Sequence, residues 1–177
     1  MEEKRDARGL TQAQAIARYQ SRNYPKPALT ADIVVLCPGE PGWQVLLVER
    51  GGHPFLGRLA LPGGFANEQE PIENTAAREL EEETGVKGLA LKLVGLYSAP
   101  GRDPRGWVVS AAYAARVEPG LALLAGDDAA SARWYPLSAG TDGPGVWLEG
   151  QFLPGAQLAF DHGKILADAL QVLGISL

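Results

Sequence analysis

The 177-residue sequence contains one cysteine and no long apolar run. Cys37 has no second thiol with which to form an internal disulfide, and its apolar neighbours predict a buried, unreactive side chain. No stretch approaches the roughly 18 apolar residues that are needed to cross a bilayer, and the first residues lack the apolar core of a signal peptide. These absences predict a cytoplasmic protein that has no membrane partner.

The sequence is also short of positive charge. It has 16 Lys and Arg residues against 21 Asp and Glu residues, which gives a net charge of -5. Proteins that bind DNA or RNA present clustered positive charge, so we predict no nucleic-acid partner. A small phosphate ester remains compatible with this charge, because a bound divalent cation reverses the local sign of an acidic site.

Hydrophobic periodicity predicts a single main domain of mixed α/β structure. Residues 10–22 have a moderately amphipathic pattern that Pro25 and Pro27 would stop, which predicts that 1–27 form a helical extension ahead of a domain at 28–177. Apolar runs at 33–36 and 45–48 predict a buried hairpin. Further strands are predicted at 89–97, 107–117 and 132–136, and helices at 72–84 and 163–173. Strands mixed with two or three helices predict an α/β sandwich.

The predicted helix 72–84 carries three carboxylates on one stripe. At 100° per residue, Glu79, Glu82 and Glu83 lie within about 100° of one another. Like charges at these spacings cost about 0.2–0.5 kcal/mol each unless a cation neutralises them. Carboxylate oxygens suit Mg²⁺ or Mn²⁺, whose remaining ligands are waters and substrate phosphates. The alternative is a solvated acidic face, which is the more common outcome for an arbitrary run of glutamates.

The spacing of the flanking residues decides between these alternatives. Gly64 is followed after five residues by Glu70, and after seven more by Arg-Glu-Leu-Glu-Glu-Glu-Thr-Gly-Val at 78–86. This pattern resembles the Nudix box of the Nudix hydrolases at every specified position, and its probability by chance in such a chain is on the order of 10⁻⁷. The resemblance implies a Nudix-type α/β/α sandwich with a mixed β-sheet, and a hydrolase that cleaves diphosphate bonds.

The resemblance also implies a role for each matched residue. Glu79, Glu82 and Glu83 correspond to the metal-binding and catalytic glutamates, with Glu82 first among the ligands. Gly63 corresponds to a position whose backbone carbonyl often joins the metal shell. The matched positions with a structural role are Glu70 and Arg78, which form a salt bridge that holds the loop on the helix, and Gly64 and Gly85, which form turns.

Hydrolysis of a diphosphate requires charge neutralisation at the phosphoryl oxygens and deprotonation of water, and a divalent metal assists both. In Nudix enzymes the general base is either a box glutamate or an acidic residue on a later loop. Glu79 is the candidate within the box. The candidates on later segments are Glu118, Asp127, Asp128, Asp142 and Glu149, and the sequence leaves the choice among them open.

A second segment indicates the substrate class. Residues 97–110 resemble a segment of ADP-ribose pyrophosphatases and of Nudix-related regulators that sense ADP-ribose. Arg102 and Arg105 in this segment are suited to phosphate, because a guanidinium offers paired donors. The alternative is a Pro/Gly turn in which the arginines are solvated or paired with Asp103. Arg50, before a glycine-rich loop, is a third candidate, for contact with substrate phosphate or with a box carboxylate, and a strand-end ion pair is an equal alternative.

The resemblance spans residues 28–173 and includes Ala-Phe-Asp-His at 159–162. We expect His162 to be a capping or core residue, with a position facing the site as the alternative. Phe65, Tyr97 and Trp107 are candidates for stacking on adenine, although aromatic residues at strand positions more often belong to a core.

The predicted function is hydrolysis of ADP-ribose to AMP and ribose 5-phosphate. The alternatives are a nucleoside triphosphate or broad-range nucleotide pyrophosphohydrolase, and a sensor that binds ADP-ribose without turnover. The intact box argues against the sensor. Nudix enzymes that act on ADP-ribose are often dimers, so a homodimer is compatible with the resemblance.

Overall fold

The computed structural model describes residues 3–123 and 132–177, which contain three α-helices and one mixed β-sheet. The helices are α1 (Gln12–Gln20), α2 (Ile72–Thr84) and α3 (His162–Val172). The strands are β1 (Ala28–Pro38), β2 (Trp43–Glu49), β3 (Leu59–Ala60), β4 (Gly63–Phe65), β5 (Lys92–Tyr97), β6 (Val108–Arg116), β7 (Arg133–Gly140), β8 (Gly143–Leu148) and β9 (Gln151–Pro154). A 3-10 turn, Gly155–Gln157, leads towards α3.

Strand β1 is the organising strand of the sheet. The strand order is β5-β6-β1-β2-β7-β8-β9, with β3 paired to β2 and β4 paired to β1. β1 runs parallel to β6, and its first residue, Ala28, lies opposite Val108. β4 is antiparallel to β1, so that Asp32 lies opposite Gly63. The loop before β6, strand β4 and the end of β2 therefore meet along the first half of β1.

The two faces of the sheet are covered by different helices. Alternate residues of a strand point to opposite faces, and Val34 belongs to an apolar cluster with Ile165 and Leu166 of α3. Its neighbour Ile33 belongs to a second cluster, with Leu80 of α2. The sheet thus lies between α2 and α3, which confirms the predicted α/β/α sandwich with a mixed sheet.

The helical and hairpin predictions agree closely with the structure. α2 has the bounds predicted for it, and β1 and β2 form the expected antiparallel hairpin. Cys37 is buried and has a free thiol. α1 forms within the predicted extension, and none of its residues is buried. No helix within the described residues is long and apolar enough to span a membrane.

The last part of the sheet was not predicted. β8 and β9 follow β7 as an antiparallel meander. Gly143, Pro144 and Gly145 occupy the start of β8, and glycine and proline weaken the alternating apolar pattern by which a strand is recognised in a sequence. β7 also extends beyond the predicted segment, as far as Gly140.

Candidate active site

The box residues are assembled on α2 and on the loop that precedes it. α2 forms because Ile72, Ala76 and Leu80 recur every four residues and face the sheet. It ends at Gly85, whose φ of 73° is the left-handed conformation typical of a residue that closes a helix. Glu79 and Glu83 extend from α2 beside this apolar stripe and form a wall of the pocket described below.

Arg78 connects that loop to the helix. Its Nε and Nη2 atoms donate to Glu70 Oε1 and Oε2, each at 3.0 Å, and Nη2 also donates to the carbonyl of Phe65 at 3.0 Å. The Arg78 hydrogen bonds, with a further one from the Asn67 N–H, lower the pKa of Glu70 to about 2. The contacts also raise the pKa of Arg78 above its ordinary value. The loop therefore pairs with the helix as the box resemblance implies.

The three box glutamates occupy different environments. Arg78 Nη1 donates to Glu79 at 2.6 Å and to Glu82 at 3.0 Å. Glu83 is directed inwards, where its Oε2 accepts a hydrogen bond from the Gly63 N–H at 2.9 Å. Burial raises the pKa of Glu83 to about 7, the neighbouring Glu79 carboxylate adds to the shift, and the Gly63 N–H opposes it. Glu83 is thus a partly buried carboxylate whose nearby positive charge, that of Arg50, does not offset the effect of burial.

Glu79 and Glu83 line a pocket of about 300 Å³ at the beginning of β1. Asp32 and Asp103 are the other carboxylates that line it, and Arg50, Arg102 and Arg105 contribute the positive charges. We refer to Asp32, Glu79 and Glu83 as the acidic wall, and to Arg50 and Arg105 as the basic wall. Glu82 does not line this pocket, and its side chain is 58% exposed on the outer edge of α2.

The acidic wall has the donor atoms that a divalent cation requires, although they are not gathered around one point. Among residues 3–123 and 132–177, no group of three His, Cys, Asp or Glu side chains forms a ready metal site. The guanidinium of Arg78 explains this, because it holds Glu79 and Glu82 to itself. A Cβ atom at Gly64 would overlap the Glu79 carboxylate. Glycine therefore leaves the space that Glu79 occupies beside the pocket, where its oxygens and those of Glu83 suit a hard cation.

The basic wall is held by aromatic rings. The guanidinium of Arg105 lies 4.7 Å from the ring centroid of Phe65 and 5.3 Å from that of Phe160. Arg105 also pairs with Asp103, with Nη2 to Oδ2 at 2.7 Å. Arg50 lies 4.8 Å from the Phe160 centroid. Burial lowers the pKa of Arg50, and the like charge of Arg105 lowers it further.

Arg102 occupies a different position from Arg105. Its side chain is 4% exposed, and it donates to both oxygens of Asp161 at 2.9 and 2.6 Å. It also lies 3.5 Å from Asp32. A buried guanidinium that is satisfied by carboxylates would have to break these contacts to bind phosphate, at the cost of leaving charges unpaired.

His162 is a site residue that the sequence interpretation assigned to the core or to a cap. It is 3% exposed, yet it lines the pocket. Its Nδ1 accepts a hydrogen bond from the Leu61 N–H at 2.8 Å, and its Nε2 lies 3.5 Å from Asp32 Oδ1. Although burial opposes the shift, His162, Ser110 and Arg102 together hold the pKa of Asp32 below its usual value. The resemblance of residues 159–162 to ADP-ribose pyrophosphatases was the signal in the sequence that pointed to a site position for His162.

The other candidates lie away from the pocket or outside the described residues. Asp127 and Asp128 fall outside the described residues. Glu118, Asp142 and Glu149 are described, and they are not among the residues that line the pocket. Of the three aromatic candidates, Phe65 lines the pocket and is 41% exposed. Trp107 is exposed elsewhere on the surface, and Tyr97 is buried with its hydroxyl bonded to Asp168 at 2.8 Å.

Comparison with known proteins agrees with this arrangement. The chain matches the NUDIX domain family over residues 26–155. It is 36% identical over 168 residues to the ADP-ribose pyrophosphatase of Methanocaldococcus jannaschii, which covers 95% of this chain and 86% of that protein.

Two solved structures are similar along most of the chain. A MutT/nudix family protein from Enterococcus faecalis has a TM-score of 0.79 at 35% identity, covering 94% of this chain and 71% of that one. The NUDIX domain of Shewanella oneidensis NrtR, crystallised with ADP ribose, has a TM-score of 0.70 at 31% identity, covering 93% of this chain and 99% of that one. With an intact box on α2 and this extent of similarity, the chain belongs to the NUDIX family and is a Nudix hydrolase.

Proposed function

We propose that this protein hydrolyses ADP-ribose to AMP and ribose 5-phosphate with the help of Mg²⁺, for which Mn²⁺ can substitute. The observation that carries the proposal is one pocket that is lined by both carboxylates and guanidinium groups. A diphosphate with a bound divalent cation presents the same combination of charges. The relative from M. jannaschii is named for the same activity, and the S. oneidensis domain was crystallised with ADP ribose.

The residues proposed to hold the cation are Glu79 and Glu83, together with the carbonyl of Gly63. Glu82 would join them after its side chain turned from Arg78 towards the pocket, a movement that its exposure permits. The bound cation would neutralise charge on the phosphoryl oxygens and lower the pKa of a coordinated water. The raised pKa of Glu83 fits this assignment, because a nearby cation stabilises the charged form of a partly buried carboxylate.

Glu79 is the proposed general base. Its carboxylate lines the pocket, and the 2.6 Å hydrogen bond from Arg78 fixes its direction. In this role it would accept the proton of the water that attacks phosphorus. Arg78 then has two tasks, since it orients Glu79 and also holds the preceding loop through Glu70.

The basic wall is proposed to bind the substrate. Arg50 and Arg105 repel each other across Phe160, and an anionic phosphate placed between them would relieve that repulsion. Phe65 and Phe160 offer aromatic faces for adenine once Arg105 has turned towards phosphate. Arg102, which was predicted to contact phosphate, is proposed instead to hold the loop that carries Arg105 against Asp161.

The deciding experiment is a substrate panel with Mg²⁺ or Mn²⁺, in which products are identified by chromatography and phosphorus NMR. We expect AMP and ribose 5-phosphate from ADP-ribose in equal amounts, and no reaction after chelation of the metal. A higher kcat/KM for nucleoside triphosphates, with release of pyrophosphate, would replace this proposal with the broad-range pyrophosphohydrolase.

A sensor that binds ADP-ribose is the second candidate, because of the similarity to the NrtR domain. It predicts saturable binding of ADP-ribose by calorimetry with no product after prolonged incubation with metal. Glu81 points to Lys87 and does not line the pocket. A Glu81→Gln protein is therefore a suitable reference for both measurements, since it removes a carboxylate from the same helix turn but not from the site.

A further inference from the structure

His162 connects three separate parts of the chain at the floor of the pocket. It is the first residue of α3, and its imidazole reaches the backbone of Leu61 and the carboxylate of Asp32. The contact with Leu61 joins residues that are 101 positions apart. Because the side chain is 3% exposed, the imidazole is a fixed part of the interior and not a surface group.

The backbone that follows Leu61 is bonded to a residue of the acidic wall. Leu61 is followed by Pro62, whose carbonyl accepts a hydrogen bond from the Ile33 N–H at 2.8 Å. The next residue, Gly63, donates its N–H to Glu83 at 2.9 Å. Gly63 has no Cβ atom and lies against the backbone of β1. The backbone at 61–63 is thus held at one end by His162 and attached to Glu83 at the other.

The imidazole is itself held in one orientation. Nδ1 accepts the Leu61 N–H, so in the neutral ring the proton is on Nε2 and is directed at Asp32 Oδ1, 3.5 Å away. Ser110 donates to the other oxygen of Asp32 at 2.5 Å. The start of α3 is also fixed, because Gly163 packs against the backbone of Gly155.

We propose that His162 is a positioning residue that, through Leu61, fixes the Gly63 backbone against Glu83 and thereby sets the affinity of the acidic wall for a divalent cation. The inference rests on the proposed function only in placing the cation at Glu83. It assigns no chemical step to His162. Residues that orient metal ligands in this way typically change metal affinity or activity about 10–100-fold when they are replaced.

Two polar replacements separate the two contacts of the ring. In His162→Asn the side-chain oxygen lies at the level of Nδ1 and can accept the Leu61 N–H. In His162→Gln the amide lies at the level of Nε2, so it can reach Asp32 and leaves Leu61 without its acceptor. We expect Mn²⁺ titration of the metal-free protein, followed by electron paramagnetic resonance, to give a Kd at least about tenfold higher for His162→Gln and within about threefold of wild type for His162→Asn.

Tyr97→Phe is the matched control for a general weakening of α3. It removes the hydrogen bond from Tyr97 to Asp168, which is also on α3 but does not line this pocket. It should lower the melting temperature without changing the Kd for Mn²⁺. If His162→Asn and His162→Gln bind Mn²⁺ equally, or if Kd follows melting temperature across all three variants, His162 is a packing residue and the proposal is wrong.

A measurement on the wild-type protein covers the case in which His162→Gln does not fold. The sequence has two histidines, so NMR of protein labelled with ¹⁵N at histidine gives two assignable rings. We expect Mg²⁺ to shift the Nδ1 signal of His162 and to leave His53 unchanged. An unchanged His162 signal at saturating Mg²⁺ would contradict the coupling. Failure of wild type to bind Mn²⁺ would instead count against the proposed function.

Discussion

The two walls of the pocket differ in how their charged groups are held. The glutamates of the acidic wall are on a helix, and Arg78 links one of them, Glu79, to the preceding loop through Glu70. Arg50 and Arg105 follow strands or lie in loops, and they rest on the ring of Phe160. The side proposed to perform the chemistry is therefore built on regular structure, whereas the side proposed to select the substrate is built on side chains that can be rearranged.

The largest effect is expected from the acidic wall. Glu83→Gln keeps the shape of the side chain but removes its charge, and we expect kcat for ADP-ribose to fall by on the order of 100-fold, the upper end for changes around a metal site. The fall in kcat should be smaller for Glu82→Gln, because Glu82 contacts Arg78 at the outer edge of the helix. AMP release at saturating substrate and Mg²⁺ measures both.

Equal losses for Glu82→Gln and Glu83→Gln would mean that Glu82 turns fully into the pocket when metal binds. Glu81→Gln should remain at the wild-type rate. A large loss in that variant would show that the helix as a whole, and not the inward-facing carboxylates, determines activity.

A smaller effect is expected from the basic wall. Arg105→Ala removes one proposed phosphate contact, and we expect KM for ADP-ribose to rise about tenfold, equivalent to about 1.4 kcal/mol, with a lesser change in kcat. Steady-state kinetics with ADP-ribose and with a diphosphate lacking adenosine measure the selectivity. Arg116 lies over Trp43, away from the pocket, so Arg116→Ala is the charge-matched control. A loss confined to kcat would place Arg105 with the chemistry and remove the distinction between the walls.

The contacts of Arg78 that join the preceding loop to α2 should affect the stability of the folded protein more than they affect substrate binding. Arg78→Lys keeps the charge but cannot bind both oxygens of Glu70 while also reaching Glu79 and the Phe65 carbonyl. We expect the free energy of unfolding in urea to fall by about 1–2 kcal/mol, with KM for ADP-ribose unchanged. Arg116→Lys is the control, and a rise in KM equal to that of Arg105→Ala would contradict the separation of roles.

The smallest effect concerns acid stability. The pKa of Glu70 is lowered to about 2 in the folded protein from an ordinary value of 4.5. The contribution of this carboxylate is therefore fully present above about pH 4.5 and is lost as the pH falls towards 2. Melting curves should show the wild type more stable than Glu70→Gln at pH 6, with the difference shrinking as the pH falls. A constant difference would mean that the loss comes from the shape of the contact and not from its charge.

Glu79 and Glu83 of the acidic wall were predictable because their information is local, whereas Asp32, on β1, was not identified as a site residue. Helix 72–84 follows from the spacing of Ile72, Ala76 and Leu80, and Gly85 marks its end. The residue types and spacings of the box lie within one short segment. The sequence could not specify that Glu83 points inwards while Glu82 points outwards, because that depends on the backbone of β4.

The positions of His162 and of the arginines at the pocket depend on contacts between distant parts of the chain. Arg102 and Arg105 are three residues apart, and the sequence offers no reason to treat them differently. The structure separates them because Asp161, 59 residues later, captures Arg102. His162 and Leu61 are likewise brought together by the fold. Such pairings require the strand order, which residue types alone do not determine.

The close approach of Gly163 to Gly155 limits how the protein can be altered. A side chain at Gly163 would meet the Gly155 backbone, and one at Gly155 would meet the carbonyl of Pro144. A library randomised at both positions and selected for turnover should return glycine at each. Substrate preference can therefore be altered at Arg105, which is partly exposed, but Gly155 and Gly163, on which the final helix packs, have to be kept.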